Sequence, residues 1–239
     1  MNHNDILSDQ DLRRFEDQIA LPQIGPGGQK KLKNANIAVI GAGGLGAVVL
    51  QYLAASGIGH LAIIDHSMVE ETSIQRQTLY GGNDLGKLKT IISREHLQSL
   101  FPLIHFDILN LRLSADNALR ILQPFELIVD ASNDEVSHEI ISDACRRLKL
   151  PWIYGSILNF KGEVAVFDKN TNASYRNMKH IAETGEDNPL KAASVAYGFI
   201  GVLMALEVIK LLVSSPESLL DRILSVDLLT YQFDVKSLI

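Results

Sequence analysis

The sequence predicts a doubly wound α/β fold with a mainly parallel sheet, helices on both faces and an antiparallel extension towards its end. Three observations carry that expectation. Short apolar, β-rich runs alternate with stretches of helical periodicity from residue 36 to residue 155, the pattern of successive βαβ crossovers. The first of these runs passes directly into a Gly-rich turn and a helix. Beyond residue 155 the rhythm changes, and strands at 163–168 and 223–229 flank one long apolar helix.

Taken in order, residues 8–21 mix charges with Leu12, Phe15 and Ile19 at helical spacing, and Ser8 followed by Asp11 resembles an N-cap. Pro22 ends that helix, residues 25–28 read as a turn, and 29–33 as a short basic helix. A strand at 36–40 leads through the glycines into a helix at 45–56 that Gly57 ends, and 60–65 is a second buried strand. Helical spacing returns at 84–100, followed by a strand at 103–108, a short helix at 117–122, a strand at 126–130, a helix at 134–148 and a strand at 152–155. Residues 171–189 are too polar for a core element and read as a surface crossover loop, and 195–213 as a long helix. The chain therefore divides into a helical arm at 1–33, a core at 34–155 and a closing segment at 156–239, all in one folding unit.

Composition narrows the function classes. With 239 residues, 46% of them hydrophobic and 21% charged, the chain can bury a substantial core. A net charge of −6 without a basic cluster argues against nucleic-acid binding. No apolar run of signal-peptide length opens the chain, so it is expected to be cytoplasmic. The apolar stretch 195–213 carries Glu207 and Lys210, which points to a buried amphipathic helix and not to a membrane span. One cysteine, Cys145, permits neither an intramolecular disulfide nor a zinc site of several thiolates, and it reads as a packed small hydrophobe.

The turn Gly41-Ala42-Gly43-Gly44-Leu45-Gly46 lies between a strand and a helix. Bare backbone N–H groups there can reach a phosphate at the helix N-terminus, and any Cβ on the central glycine would hold that phosphate away. Asp65 ends the next strand, roughly 20 residues on, where a carboxylate accepts hydrogen bonds from ribose hydroxyls in Rossmann-like folds. An NAD-dependent oxidoreductase would show the same features. Ser73, Arg76, Gln77 and Lys89 follow, and a guanidinium with an ammonium suits a triphosphate better than a dinucleotide pyrophosphate. Ordinary surface cations would give the same residues.

Gln18-Ile19-Ala20-Leu21-Pro22, Gly28-Gln29-Lys30-Lys31-Leu32, the glycines from Gly41 to Gly46, Gln75-Arg76-Gln77, Lys89 and the late helix at 201–211 occur in that order. In this the chain resembles the ubiquitin-activating-like adenylyltransferases of the ThiF, MoeB and HesA type, which serve molybdopterin and thiamine biosynthesis. The resemblance implies a homodimer that uses ATP and Mg2+ to adenylate the C-terminal carboxylate of a small β-grasp protein ending in Gly-Gly. It implies that Gly41, Gly43, Gly44 and Gly46 cradle the nucleotide with Asp65 on its ribose, and that Ser73, Gln77, Arg76 and Lys89 face its phosphates.

The chain departs from that pattern at four places. Ser73 stands where an asparagine is usual. Asp17 occupies the place of an arginine that reaches across the dimer, with Arg13 and Arg14 one turn away. Asn133 stands where the magnesium-binding aspartate is expected, which leaves Asp134 either as its substitute, and so catalytic beside Arg76 and Lys89, or as a helix N-cap. The two Cys-x-x-Cys pairs of a structural zinc site read Ser174-Tyr175-Arg176-Asn177 and Leu229-Thr230-Tyr231-Gln232, and the loop 187–193 holds no sulfur nucleophile. No zinc is expected. These changes leave room for a protein that binds nucleotide or carrier without turning it over.

Overall fold

The computed structural model describes residues 7–178 and 192–238. Its eight strands form one sheet in the order β3-β2-β1-β4-β5-β6-β7-β8. The first five, β1 (Asn36–Ile40), β2 (His60–Ile64), β3 (His105–Leu109), β4 (Leu127–Asp130) and β5 (Trp152–Leu158), pair in parallel. β6 (Lys161–Phe167), β7 (Arg222–Asp227) and β8 (Gln232–Ser237) extend the sheet antiparallel. The doubly wound architecture with its antiparallel extension is as the sequence predicts.

Both faces of the parallel part are covered, which is why its strands are continuous apolar runs. Ile37 and Val39 of β1 face a core built with α3 (Gly25–Asn34), α4 (Gly44–Ala55), α6 (Lys89–Leu100) and α9 (Ser194–Leu212). Ala38 and Ile40 face the other core, with α7 (Ala118–Leu122) and α8 (Glu135–Leu148). In the β5–β6 hairpin the paired residues Trp152 and Phe167 stack with ring centroids 4.2 Å apart. α9 is long and apolar enough to cross a membrane by length and composition. Here it packs on the sheet, where Glu207 accepts a 2.8 Å hydrogen bond from the Leu219 N–H and pairs with Lys210.

Several boundaries differ from expectation. The single helix expected at 8–21 is two, α1 (Asp9–Arg14) and α2 (Glu16–Ile19), because Phe15 leaves helical geometry to set its ring against Gly57. The Ser8–Asp11 capping box is present. The expected turn at 25–28 lies inside α3, since Pro26 suits a first helical turn and Gly28 packs closely on Ile24 and Val213. The helix expected from 84 begins only at Lys89, because Gly86 takes φ +75° and Leu88 bridges Met68. A short helix, α5 (Glu71–Ile74), and the edge strand β8 have no counterpart in the expectation. Of the polar stretch 171–189, residues 175–177 form a 3-10 turn, and everything from 179 lies outside the described residues, as does most of the loop 187–193.

The chain winds from β1 to β2 and β3 on one side, then crosses to β4 and β5 on the other. The crevice between the ends of β1 and β4 is thus a topological switch point, where open α/β sheets bind ligands.

Candidate functional site

A cleft of about 320 Å³ opens at that switch point, lined on one side by the Gly-rich turn and on the other by the β4–α8 loop. The glycines have separate reasons to be there. Gly41 takes φ +93°, and an added Cβ would meet the Ala131 carbonyl oxygen at 2.5 Å. At Gly46 a Cβ would fall 1.8 Å from the Gly41 carbonyl oxygen, and at Gly44 it would meet the Tyr197 ring at 2.5 Å. Gly43 is different, because the nearest atom to its added Cβ is the Gln77 amide at 3.9 Å. Three glycines are required by the protein's own packing; the fourth keeps space in the cleft.

Gly43 is the N-cap of α4, and no side chain among the described residues caps that helix. The N–H groups of its first turn therefore point their partial positive charge at the cleft, the arrangement that receives an anion. The turn is held from outside. Asp65 Oδ2 accepts the Ala42 N–H at 2.8 Å, and the Tyr80 hydroxyl donates to the Ala42 carbonyl at 2.7 Å. Asp65 Oδ1 accepts the Ser67 N–H at 2.7 Å, so the carboxylate is fixed by two backbone donors and keeps lone pairs for a ligand.

Lys89, at the start of α6, is only 8% exposed and has no hydrogen-bonded partner among the described residues. Burial lowers its ammonium below the usual lysine range, although the nearby Asp65 and Glu70 pull it up, and Arg76 adds to the lowering. A buried cation with no anion in contact is costly unless something pairs it. Gln77 has an open position of the other kind, since its buried Oε1 accepts no hydrogen bond among the described residues. Arg76 donates to the Thr72 carbonyl and to the Tyr197 hydroxyl. Ser73 is buried beneath these groups and lines the same cleft.

The opposite wall is satisfied within itself. Asp134 caps α8: Oδ1 accepts the Ser137 N–H at 3.0 Å, Oδ2 accepts the Ser137 hydroxyl at 2.6 Å, and Arg112 approaches to 3.6 Å. Asn133 is exposed at the rim. Asp130, fully buried, accepts from the Ser132 hydroxyl at 2.6 Å and meets His138 Nδ1 at 2.7 Å. The His138 ring is held between Tyr154 and Tyr175, with centroids 4.9 and 5.0 Å away. Burial pushes the His138 pKa down, but the charge and hydrogen bond of Asp130 outweigh it, so the imidazole titrates above its ordinary 6.5.

All the residues expected at the nucleotide therefore surround one cleft, except Gly46, which sits behind the turn. Sequence reasoning did not single out Arg112 and His138, which line the cleft, or Tyr80 and Asp130, which hold the Gly-rich turn and His138 from behind. An aspartate ending an apolar strand with a histidine eight residues on, in the first turn of the following helix, is a signal that could have marked the pair. Asp17, Arg13 and Arg14 are exposed on the arm and do not line the cleft. Cys145 is buried in α8, where desolvation pushes its thiol well above the ordinary value, as befits a packed residue.

The chain is similar to relatives of known name. The sulfur carrier protein adenylyltransferase of Thermus thermophilus is 36% identical over 233 residues, covering 94% of this chain and 86% of that protein. A probable molybdopterin-synthase adenylyltransferase of Porphyra purpurea is 37% identical over 227 residues, covering 92% of this chain but 59% of its own length. Among solved structures, E. coli MccB with ATP superposes with a TM-score of 0.80 at 20% identity, over 97% of this chain and 79% of that one. PaaA does so with 0.83 at 19% identity, over 98% and 75%; at these identities the likeness concerns the fold. The model of the ThiF family matches residues 15–238, and with the glycine turn, Asp65 and the cationic side of the cleft in place, the chain belongs to the ThiF family.

Proposed function

We propose that this protein is an ATP-dependent adenylyltransferase that activates the C-terminal carboxylate of a small ubiquitin-like sulfur-carrier protein ending in Gly-Gly. The observation that carries the reading is the open space at Gly43, bounded by the N-terminus of α4 and by Lys89, neither of which has a side-chain partner among the described residues. A polyphosphate fills that space and pairs that cation. The carrier carboxylate attacks the α-phosphorus, the bond to the β-phosphate breaks, and pyrophosphate leaves with the acyl adenylate formed. Lys89 and Arg76 stabilise the charge on the phosphates as the bond breaks. Asp65, already held by two backbone donors, receives the ribose hydroxyls, and the vacant Gln77 Oε1 accepts a further donor from the ligand.

The residues at the β4–α8 loop fit a magnesium ion that arrives with the nucleotide, because such an ion takes most of its ligands from phosphates and water. Asn133 and the remaining lone pairs of Asp134 would hold it, and it would supply neutralisation of phosphate charge. The protein acts in the cytoplasm as a homodimer in this reading. Val195, Phe199, Val202 and Leu206 form an exposed apolar stripe along α9, continued by Tyr52 of α4 and Phe233 of β8, a face suited to a second copy. The arm gives independent support: Gln18 and Gln29 tie it to the Ser56 carbonyl at the far end of α4. α4 has 12 residues and spans about 18 Å, which sets the arm with Arg13 and Arg14 at the end of α4 remote from their own chain's cleft and leaves them free to act on a partner's in this reading.

The test is pyrophosphate exchange with candidate carriers, run beside titrations of ATP and NAD. Binding of ATP with carrier-dependent exchange supports the reading; NAD binding without ATP binding sinks it. Asn133 and Asp17 favour one alternative, nucleotide binding without turnover. In that case the Asp17→Arg, Asn133→Asp double variant would gain exchange that the natural protein lacks.

A further inference from the structure

At the other end of the sheet from the cleft, three potential ligands converge. His60 opens β2 and His105 opens β3, and the two are register partners on adjacent parallel strands. Their side chains therefore leave the same face of the sheet, roughly 4.8 Å apart at the backbone. Asp107 lies two residues further along β3 and so points to the same side. The rings meet edge to face with centroids 4.6 Å apart, and Phe125 packs against His60 at 6.3 Å. His60 Nε2 lies 2.8 Å from Asp107 Oδ2, and His105 Nε2 lies 3.2 Å from Asp107 Oδ1.

Two imidazoles aimed at one carboxylate exceed what an exposed ion pair needs, and such pairs contribute little. As a ligand set the geometry has a clear reading. One donor atom from each residue lies within 4.8 Å of the others. Bonds of about 2.0–2.1 Å in a tetrahedral site place ligand atoms about 3.4 Å apart, so the contacts of 2.8 and 3.2 Å need to open only slightly. Two nitrogens and one oxygen suit borderline transition ions and not hard Mg2+ or Ca2+. All three residues sit on strands, whose backbone fixes their spacing before any ion arrives.

We propose that His60, His105 and Asp107 form a binding site for a divalent transition-metal ion of the zinc, nickel or copper class, with water in the remaining positions. β3 is an edge strand of the sheet, so the ion clips the edge to its neighbour. It is a strand's length, roughly 16 Å, from the nucleotide cleft, and its thiol-free ligands are independent of the cysteine pattern that this chain lacks.

Untagged protein stripped with a chelator and titrated with Zn2+ by calorimetry should bind one ion with micromolar affinity, and Mg2+ at the same concentration should give no heat. The transition temperature should rise with Zn2+ as linkage requires. His105→Ala and Asp107→Asn change exposed side chains and should fold as the parent does without metal, yet lose at least tenfold in Zn2+ affinity. The Cu2+ form should show electron spin resonance couplings to two imidazole nitrogens, falling to one in His105→Ala. A double variant, His66→Ala with His96→Ala, should bind Zn2+ as the natural chain does. Absence of saturable binding, or binding undiminished by His105→Ala, would overturn the proposal.

Discussion

The two walls of the cleft come from opposite sides of the switch point and treat their polar groups differently. On the β1–α4 side, donors and acceptors are fixed by the fold but unfilled: the first turn of α4, Lys89 and Gln77 Oε1 lack partners among the described residues. On the β4–α8 side the charged groups already have partners, Asp130 in His138 and Ser132, Asp134 in Ser137 and Arg112. The first wall is an incomplete binding site that a nucleotide completes. The second is a structural joint that needs no ligand to be stable. The departure from the family pattern at Asn133 falls on the second wall and the one at Ser73 on the first, so mutations on the two walls probe nucleotide binding and turnover separately.

The largest effect is expected on the first wall. Lys89→Ala should lower pyrophosphate exchange by a factor on the order of 10²–10³, the usual loss of one preorganised charge donor, with little change in transition temperature. A fall in stability without a fall in exchange would move Lys89 from the chemistry to the core. The glycines sharpen the comparison further. Gly46→Ala drives a Cβ to 1.8 Å from a backbone oxygen and should cost about 3 kcal/mol of stability or more. Gly43→Ala meets nothing closer than 3.9 Å, so chemical denaturation should be nearly unchanged while ATP affinity falls about tenfold, roughly 1.4 kcal/mol.

How much of this could be read in advance follows the range of the interactions. The Gly-rich turn, Asp65 and the β–α rhythm are local patterns, set by backbone conformation and by apolar period, and they were legible. Lys89 was legible as a residue type, but its burial was not, because that depends on the bridge between Leu88 and Met68. Tyr80 holds the turn from 38 positions away in sequence, and no pattern in one chain announces such a contact. β8 escaped because all six of its residues are exposed and its only apolar members, Phe233 and Val235, face the stripe on α9 instead of a core. The Asp134 alternatives stayed open in the sequence because a helix cap and a metal ligand ask for the same carboxylate.

On the second wall, His138→Gln removes a charged hydrogen-bond donor from buried Asp130 and should cost roughly 1.5 kcal/mol. The pH dependence identifies the cause. Burial opposes protonation, but Asp130 wins and raises the folded-state pKa above 6.5. The stabilisation is therefore complete below 6.5 and fades as pH climbs through the raised value. The gap in transition temperature between the natural protein and His138→Gln should shrink as pH rises. A constant gap would mean that the ring contributes only through its packing on Tyr154 and Tyr175.

The smallest effect decides what Asp134 does. If it only caps α8, Asp134→Ala should cost about 1 kcal/mol and Asp134→Ser almost nothing, since serine caps a helix as well as aspartate. Exchange should then follow stability in both variants. Its carboxylate oxygens, however, retain lone pairs beyond those engaged by Ser137, and a magnesium ion on the phosphates would use them. Asp134→Ser is then expected to keep its transition temperature and lose about tenfold in exchange, roughly 1.4 kcal/mol in the barrier, while Asn133→Asp in the same background restores part of it by returning a carboxylate one residue away. Equal exchange in the natural protein and in Asp134→Ser would assign the residue to the cap alone, and would leave the first wall to carry the reaction.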